Sequence, residues 1–246
     1  MQITFMLVVW CSLYFSIKVW QQSVQERELL LRAEAEAREA KLSALRYQLN
    51  PHFLFNSLNA VSTLVLEGNS AAATRMLAQI GDLLRTILDG GTKLVIPLSE
   101  EIAFIQQYLS IENTRLGSRL RTDVSIASET LDALVPSMLL QPLVENAVRH
   151  GVAPLIEGGD VYVGSRLQDG HLHITVRNSG PPYQPPQQSH APAGIGLKNT
   201  AERLEALYSD QHTFVLEWLR LGGCQVVIEL PFHKNAPKAE SQICGS

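Results

Sequence analysis

The sequence has little cysteine and no excess of basic charge. Its 246 residues include three cysteines, Cys11, Cys224 and Cys244, which are far apart and odd in number. This pattern favours neither a disulfide framework nor a zinc site, and it fits a reducing compartment. The formal net charge is -4, without a basic stripe, so binding to DNA or RNA is disfavoured. The hydrophobic content of 46 % is enough for a packed core.

Charged residues are almost absent near the N-terminus. Residues 3–20 are apolar apart from a few polar side chains, and Lys18 carries their only charge. A helix of this length would extend roughly 27 Å, close to the ~30 Å hydrocarbon core of a bilayer. A signal peptide or a buried core helix is the alternative, but no basic residue precedes the run and no small-residue cleavage site follows it. We expect a single membrane helix at residues 1–20, with the following basic residues, and hence the rest of the chain, in the cytoplasm.

Glycine and proline are absent from residues 21–49, which are rich in Glu, Arg, Ala and Leu. This composition predicts one long helix. Alternating spacings of four and three, interrupted once by Arg38, predict the seam of a coiled coil in a parallel dimer. A solvated single helix is the alternative. The seam positions are Leu31, Ala35, Arg38, Leu42, Leu45 and Leu49.

Residues 50–118 are predicted to be a helical hairpin that forms a bundle by dimerising. Asn50-Pro51 indicates a helix start or a kink, since proline lacks the backbone N–H. Helices are predicted over residues 53–66 and 71–88, separated by a pause at residues 67–69. A further helix is predicted to begin with Ser99 as its N-cap, followed by two glutamates in the first turn.

Residues 119–232 are predicted to form an α+β domain in which helices pack on a largely antiparallel sheet. Alternating apolar residues indicate strands, and Asp169-Gly170 indicates a tight hairpin turn between two of them. The tail at residues 233–246 is predicted to be disordered. Strands are predicted at residues 121–126, 161–167, 171–177, 213–219 and 224–230. Helices are predicted at residues 136–151, where Gly151 is expected to stop the helix, and at residues 197–208.

The stretch QLNPHFLFNSLN at residues 48–59 resembles the LytS-type family of bacterial sensor histidine kinases. The resemblance implies that His52 is the phosphoacceptor. It also implies that the protein is located in the bacterial inner (cytoplasmic) membrane. A neutral imidazole can attack a phosphoryl group, which suits that role near neutral pH. A lone histidine would more often serve a helix end. The proton acceptor stays open, since Phe53 stands where other classes of kinase have an acidic residue.

The stretch LLQPLVENAVRHG at residues 139–151 resembles the N box of the ATPase fold shared by histidine kinases, gyrase and Hsp90. The resemblance implies that Asn146 binds Mg²⁺, that Arg149 contacts the phosphates of ATP, and that Glu145 orients a metal-bound water. Mg²⁺ takes few protein ligands, so one amide oxygen is sufficient. Asn146 and Arg149 are three apart, which would place them on one face of an α-helix.

The stretch GIGLKNTAERL at residues 194–204 resembles the G2 box of the same family. Gly194 and Gly196 would let the backbone approach phosphate closely. Leu197 and Lys198 begin a helix whose N–H groups can bind an anion. A glycine pair alone is weak evidence, but its position after the N box makes it informative.

The adenine-binding stretch departs from the family pattern. The family has an Asp followed by spaced glycines, whereas this chain has Asn178-Ser179-Gly180-Pro181-Pro182. The oxygen of Asn178 can still accept a hydrogen bond from the adenine amine, but it carries no charge. Residues 183–193 form a Pro- and Gln-rich loop that is either a lid over ATP or a surface connection.

These resemblances imply a homodimeric, membrane-tethered kinase that uses ATP and Mg²⁺ to phosphorylate His52. The phosphoryl group would then pass to an aspartate of a response regulator, often of the LytTR type in this family. Two alternatives stay open: a dimeric signalling scaffold without catalysis, and an ATPase of the gyrase and Hsp90 kind without phosphohistidine.

Overall fold

The computed structural model describes residues 51–89, 93–181, 195–220 and 222–233, together with positions 10, 18, 20 and 27. The chain divides into two units, Met1–His52 and Phe53–Ser246, and the fold given below is that of the second. Among the described residues, no helix combines the length and the apolar character that a membrane crossing requires. Apart from those four single positions, the predicted membrane helix (1–20) and coiled coil (21–49) lie outside the described residues, as do the lid loop (183–193) and nearly all of the predicted tail.

Two helices precede the sheet, as predicted. Helix α1 spans Pro51–Leu66 and helix α2 spans Ser70–Asp89. Between them Asn69 caps helix α2, since its Oδ1 accepts a hydrogen bond from the N–H of Ala72 at 3.2 Å. One apolar side of α2 packs against α1 and the helix that follows, which forms a small core. Its buried members are Val61, Ala73, Met76, Ile80, Leu83 and Ile111.

The third helix begins two residues earlier than predicted, and its cap is different. Strand β1 (Val95–Pro97) leads directly into helix α3 (Leu98–Leu116), with Pro97 at the cap position. Ser99 is therefore not the N-cap. The N–H groups of Leu98 and Ser99 donate instead to the carbonyls of Ala133 and Leu131, at 2.8 and 3.0 Å. A neighbouring turn thus satisfies the first donors of the helix, which local sequence cannot reveal.

The strands that follow β1 are β2 Leu120–Ile126, β3 Leu134–Pro136, β4 Gly159–Gln168, β5 His171–Asn178, β6 Thr213–Trp218 and β7 Cys224–Pro231. The five predicted strands form one sheet in the order β2-β4-β5-β7-β6. Strands β2 and β4 pair in parallel, and the other neighbours pair antiparallel. The β4–β5 hairpin turns at Asp169 and Gly170, whose φ angles of 52° and 77° are those of a tight turn. A second sheet pairs β1 with β3.

The helix predicted over residues 136–151 is shorter and changes its type. Pro136 belongs to strand β3, and helix α4 spans Gln141–Asn146. The chain then continues as a π-helical segment, Ala147–Val152, so Gly151 does not stop the helix. Helix α5 spans Ile195–Tyr208, close to its predicted bounds. Short 3₁₀ turns at Gly117–Arg119 and Ser128–Thr130 flank strand β2.

One face of the sheet carries the main core. Alternate residues of β4, β5 and β7 are buried against helices α3, α4 and α5 and the π-helical segment, which gives the α+β class that was predicted. Helix α3 contributes to both cores, through Ile105 and Leu109 to this one and through Ile111 to the smaller one. The central buried side chains from the strands are Val161, Val163, Leu172, Ile174, Val176, Val226, Ile228 and Leu230.

Candidate functional site

The N-box residues lie on helix α4 and on the π-helical segment that continues it. Leu143, Val144 and Val148 are buried and anchor this stretch to the core. Asn146, the last residue of α4, is half-buried, and Arg149 is exposed. A spacing of three places two side chains on one face of an α-helix, but the chain is π-helical from Ala147 onward. A π turn is wider, so the spacing alone does not place Asn146 and Arg149 on one face; such turns are frequent at functional sites.

Glu145 is held within its own helix. Its Oε1 accepts a hydrogen bond from Nε2 of Gln141 at 2.9 Å. Its negative charge also acts on Tyr108 of helix α3: burial first, and then the charges of Glu112 and Glu145, raise the pKa of the Tyr108 hydroxyl well above its ordinary value. Glu145 is therefore an oriented carboxylate next to Asn146.

Gly151 brings the N box against the end of strand β5. A Cβ at Gly151 would overlap Nδ2 of Asn178 and would lie 2.7 Å from the carbonyl oxygen of Ser179. Only a residue without a side chain permits this approach. The N-box stretch and the predicted adenine-binding stretch, which are separated by a whole β-hairpin in the chain, are thus in direct contact.

The amide of Asn178 is oriented by its neighbours. The side chain is 6 % exposed. Its Nδ2 donates to the carbonyl oxygen of Ser179 at 2.8 Å, and its Oδ1 accepts from the thiol of Cys224 at 3.1 Å. The backbone around it is tightly packed, because a Cβ at Gly180 would lie 2.9 Å from Cα of Gly223. Oδ1 keeps a second lone pair with which it can accept a further hydrogen bond.

The beginning of helix α5 lies against the N-box helix. A Cβ at Gly196 would lie 3.1 Å from Cβ of Pro142, one turn before Asn146. The carbonyl of Gly196 accepts a hydrogen bond from Oγ1 of Thr200 at 2.9 Å. Leu197 packs against the main core. Lys198 is exposed and pairs with Glu202 at 3.6 Å, and Gly194 lies outside the described residues.

His52 lies in the first turn of helix α1, directly after Pro51, and is exposed. This position matches the predicted location near a helix start. It belongs to the unit Met1–His52, whereas the other predicted residues belong to the unit Phe53–Ser246.

The structure therefore brings together three of the stretches that the sequence singled out. The N box contacts residues 178–180 through Gly151 and the start of helix α5 through Pro142. Sequence reasoning missed the roles of Gly151, Pro142 and Cys224. Gly151 was interpreted as a helix stop, although a glycine inside a helical pattern also signals a close approach of two chain segments.

A small number of polar and charged groups at this site can bind an anion and a cation. The site offers the oxygens of Glu145, Asn146 and Asn178, the guanidinium of Arg149, and the backbone at the start of helix α5. In the part of the chain that the structure describes, no cluster of three or more His, Cys, Asp or Glu residues could bind a metal ion. A cation here would need ligands from a bound molecule as well.

Comparison with known proteins gives consistent matches. Residues 40–120 match the family model described as histidine kinase. The sensor protein LytS of Enterococcus faecalis is 29 % identical over 207 residues, covering 80 % of this chain and 35 % of that protein. The sensor histidine kinase BtsS of Escherichia coli K12 is 29 % identical over 205 residues, covering 83 % of this chain and 36 % of that protein. The chain thus spans about a third of the length of these curated relatives.

Among solved structures, the histidine kinase domain of a blue-light activated histidine kinase from Erythrobacter litoralis EL346 is similar to this chain. It shares 19 % identity with a TM-score of 0.43, over 78 % of this chain and 91 % of that domain.

Proposed function

We propose that this chain phosphorylates His52 with Mg-ATP and passes the phosphoryl group to a response regulator, since residues 40–120 match the histidine kinase family model and the chain is similar to the sensor protein LytS. The observation that carries this proposal is the meeting of three sequence stretches at one place. Gly151 contacts Asn178, and Gly196 contacts Pro142. A nucleotide needs groups for its base, its phosphates and its metal within one site, and this arrangement offers all three.

Each predicted residue has a role in this proposal. Asn178 and Gly180 would contact the adenine, and Asn146 would bind Mg²⁺ with Glu145 orienting one of its waters. Arg149 would neutralise phosphate charge. The backbone of the α5 start, with Lys198, would hold the phosphates at a helix N-terminus. The remaining members of that phosphate-binding start are Gly194, Gly196 and Leu197.

The residues present fit a magnesium ion. Mg²⁺ prefers oxygen ligands, keeps several waters and usually takes only one or two protein groups together with substrate phosphates. Asn146 and the oriented carboxylate of Glu145 are adjacent in the chain and supply such a set. When bound, the ion would neutralise the charge that develops on the phosphates.

The reaction balances as a simple phosphoryl transfer. A ring nitrogen of neutral His52 attacks the γ-phosphorus of ATP, a nitrogen–phosphorus bond forms, and the bond from phosphorus to the bridging β–γ oxygen breaks, releasing ADP. The ring proton passes to solvent or to a base. The protein contributes position and charge rather than covalent chemistry of its own.

Dimerisation is part of the proposal, and the exposed apolar side chains of the first two helices support it. Soluble monomers rarely expose many large apolar groups on neighbouring helices. A second copy of the chain could cover them in a helical bundle. They are Phe55, Leu58, Val65 and Leu66 on helix α1 and Leu77 and Leu88 on helix α2.

The remaining features of the proposal come from the sequence. They are a single membrane helix at residues 1–20 in the bacterial inner membrane, a coiled coil at residues 21–49, and C-terminal domains in the cytoplasm. The proposed domains are residues 50–118 for dimerisation and phosphoacceptance and residues 119–232 for ATP binding. The partner would be a response regulator, often of the LytTR type, and not a nucleic acid.

Incubation of the full chain with ATP labelled on its γ-phosphate tests the proposal. We expect acid-labile, alkali-stable label on the wild type and none on His52→Gln. A dimeric protein that binds ATP without acquiring label would favour the scaffold. The hydrogen bonds of the Asn178 amide to Ser179 and Cys224 support this alternative, because they already occupy groups that adenine would need. Sustained hydrolysis without label would favour the ATPase.

A further inference from the structure

We propose that helix α3 and the 3₁₀ turn directly after it clamp the N-box segment at both of its ends, with Glu101 and Arg119 as positioning residues for ATP binding. The inference rests on the proposed function, since it assigns the clamped segment, residues 141–152, to ATP. Glu101 contacts the residues just before this segment, and Arg119 contacts those just after it. In the sequence, no motif indicates a role for Glu101 or Arg119 in ATP binding.

At the N-terminal end of the segment, Glu101 holds a backbone loop. The side chain is 4 % exposed. One carboxylate oxygen accepts the N–H of Met138 and the other accepts the N–H of Leu140, the latter at 2.9 Å. Burial raises the pKa of Glu101, while these N–H groups and the charge of Arg203 act in the opposite direction. Arg203 of helix α5 also donates a hydrogen bond to the carbonyl of Ser137 in the same loop.

The loop has an unusual backbone that explains why it needs such an anchor. Met138 has a φ of 59°, in the left-handed region that residues with a side chain rarely adopt. Such a conformation persists only where the surroundings hold it in place. The two hydrogen bonds to Glu101 lie on either side of Leu139 and therefore fix the path by which the chain enters helix α4.

At the C-terminal end, Arg119 holds the exit of the π-helical segment. Its Nη2 donates to the carbonyls of Ala153 and Leu155, at 2.9 and 2.8 Å. Its backbone is closely packed as well, because a Cβ at Gly158 would overlap the carbonyl of Arg119. A negative group thus lies at the N-terminus of the N-box segment and a positive group at its C-terminus, which is the arrangement that a helix dipole favours.

The same helix is bound to the α1–α2 pair. Ile111 of helix α3 lies in the small core, and the Oγ of Ser110 accepts a hydrogen bond from Nε2 of Gln79 at 2.8 Å. Helix α3 therefore contacts the helical pair and, through Glu101, the entry of the N-box segment, while the turn directly after it contacts the exit through Arg119. A displacement of helix α3 would move Asn146 and Arg149 with it.

Glu101→Gln tests the first contact with little change in volume. A glutamine has one acceptor oxygen and would face the second N–H with its own amide donors, which leaves a buried donor without a partner. We expect the affinity of the full chain for a fluorescent ATP analogue with Mg²⁺ to fall roughly tenfold. The amount of His52 label reached at saturating ATP should change far less. The matched control is Glu100→Gln, the same change at the preceding, exposed position, with no loss expected.

A second variant separates positioning from general destabilisation. Glycine adopts a positive φ without strain, so Met138→Gly makes the anchor less necessary. Placed in the Glu101→Gln background, it should restore affinity by roughly two- to fivefold. Arg119→Lys keeps the charge but loses the fixed fork of the guanidinium, and a smaller fall in affinity is expected.

Unchanged affinity in both Glu101→Gln and Arg119→Lys, or an equal loss in Glu100→Gln, would overturn the clamp. If the wild type itself binds no ATP analogue, the proposed function fails instead. The clamp is then judged by hydrogen exchange, which Glu101→Gln should accelerate at residues 139–152; unaltered exchange there would overturn it independently of ATP.

Discussion

The contact between Gly151 and Asn178 makes a single methyl group a sharp test of the site. In a Gly151→Ala variant the new Cβ would overlap Nδ2 of Asn178 and lie 2.7 Å from both its Cγ and the carbonyl oxygen of Ser179. The Asn178 amide is fixed by two hydrogen bonds, and the Ser179 oxygen belongs to the backbone, so neither can move freely. Overpacking of this kind costs about 1–3 kcal/mol.

That cost predicts two measurable losses. The temperature of unfolding should fall by roughly 2–12 °C, since 1 kcal/mol corresponds to about 2–4 °C in a unit of this size. Because Asn178 must shift, the affinity for Mg-ATP should fall about tenfold, which corresponds to about 1.4 kcal/mol. Thermal unfolding followed by circular dichroism and titration with a fluorescent ATP analogue measure the two.

Gly81 provides a matched control in helix α2. A Cβ there meets no atom within 4 Å, so Gly81→Ala introduces no clash. Alanine in a helix interior is favoured over glycine by about 0.5–1 kcal/mol, and this variant should unfold at a slightly higher temperature with unchanged ATP affinity. If Gly151→Ala behaves as Gly81→Ala does, the contact between the N box and residue 178 is not as described, and the argument for one site fails.

Three further predictions concern the core, a thiol and an ion pair. Met76→Ala, at a fully buried position, should lower the free energy of unfolding by about 2–5 kcal/mol in urea titrations, and a smaller loss than 1 kcal/mol would contradict the packing of helix α2. Cys224 is partly buried, which raises the pKa of its thiol, so iodoacetamide should modify it more slowly at pH 8 in the folded protein than in urea; equal rates by mass spectrometry would contradict this partial burial. The hydrogen bond from Arg121 lowers the pKa of Asp160 below its ordinary 3.8, so its contribution to stability is present above about pH 4 and is lost as the pH falls through the lower folded value. Asp160→Asn should weaken this acid dependence, and identical melting profiles between pH 2 and 5 would count against the pair.

The regular elements were largely predictable because their signals are local. Helices α1 and α2 follow from residues between a proline start and turn residues, and their observed bounds, Pro51–Leu66 and Ser70–Asp89, agree with the prediction. The β4–β5 hairpin follows from alternating apolar residues around Asp169-Gly170. Each of these patterns depends on side chains within a few residues of one another.

The features that were missed depend on distant parts of the chain. Ser99 has the side chain of a good N-cap, yet carbonyls of residues 131 and 133 already accept the first N–H groups of helix α3. The π-helical segment, Ala147–Val152, has no periodicity of its own that distinguishes it from an α-helix. In the sequence, Glu101 is only one of two acidic residues in the first turn of a helix. Its two backbone hydrogen-bond donors, Met138 and Leu140, come from a loop that only the folded chain brings next to it.

The three motifs of the candidate site were predicted from the sequence, but the contacts between them could not be predicted. Nothing local in the sequence relates Gly151 to Asn178 or Gly196 to Pro142, because sheet pairing and helix packing bring these residues together. The roles of the individual residues in ATP binding, and that of His52 as phosphoacceptor, stay predictions until the nucleotide is studied with the protein.

The central claim is that these stretches bind one nucleotide, and hydrogen exchange during a titration with Mg-ATP tests it most directly. The account predicts slower exchange at residues 146–152, at residues 178–180 and in the first turn of helix α5, with one common midpoint concentration, while the edge strand β6 keeps its original rate. Protection of only one of these stretches, or different midpoints for each, would contradict it.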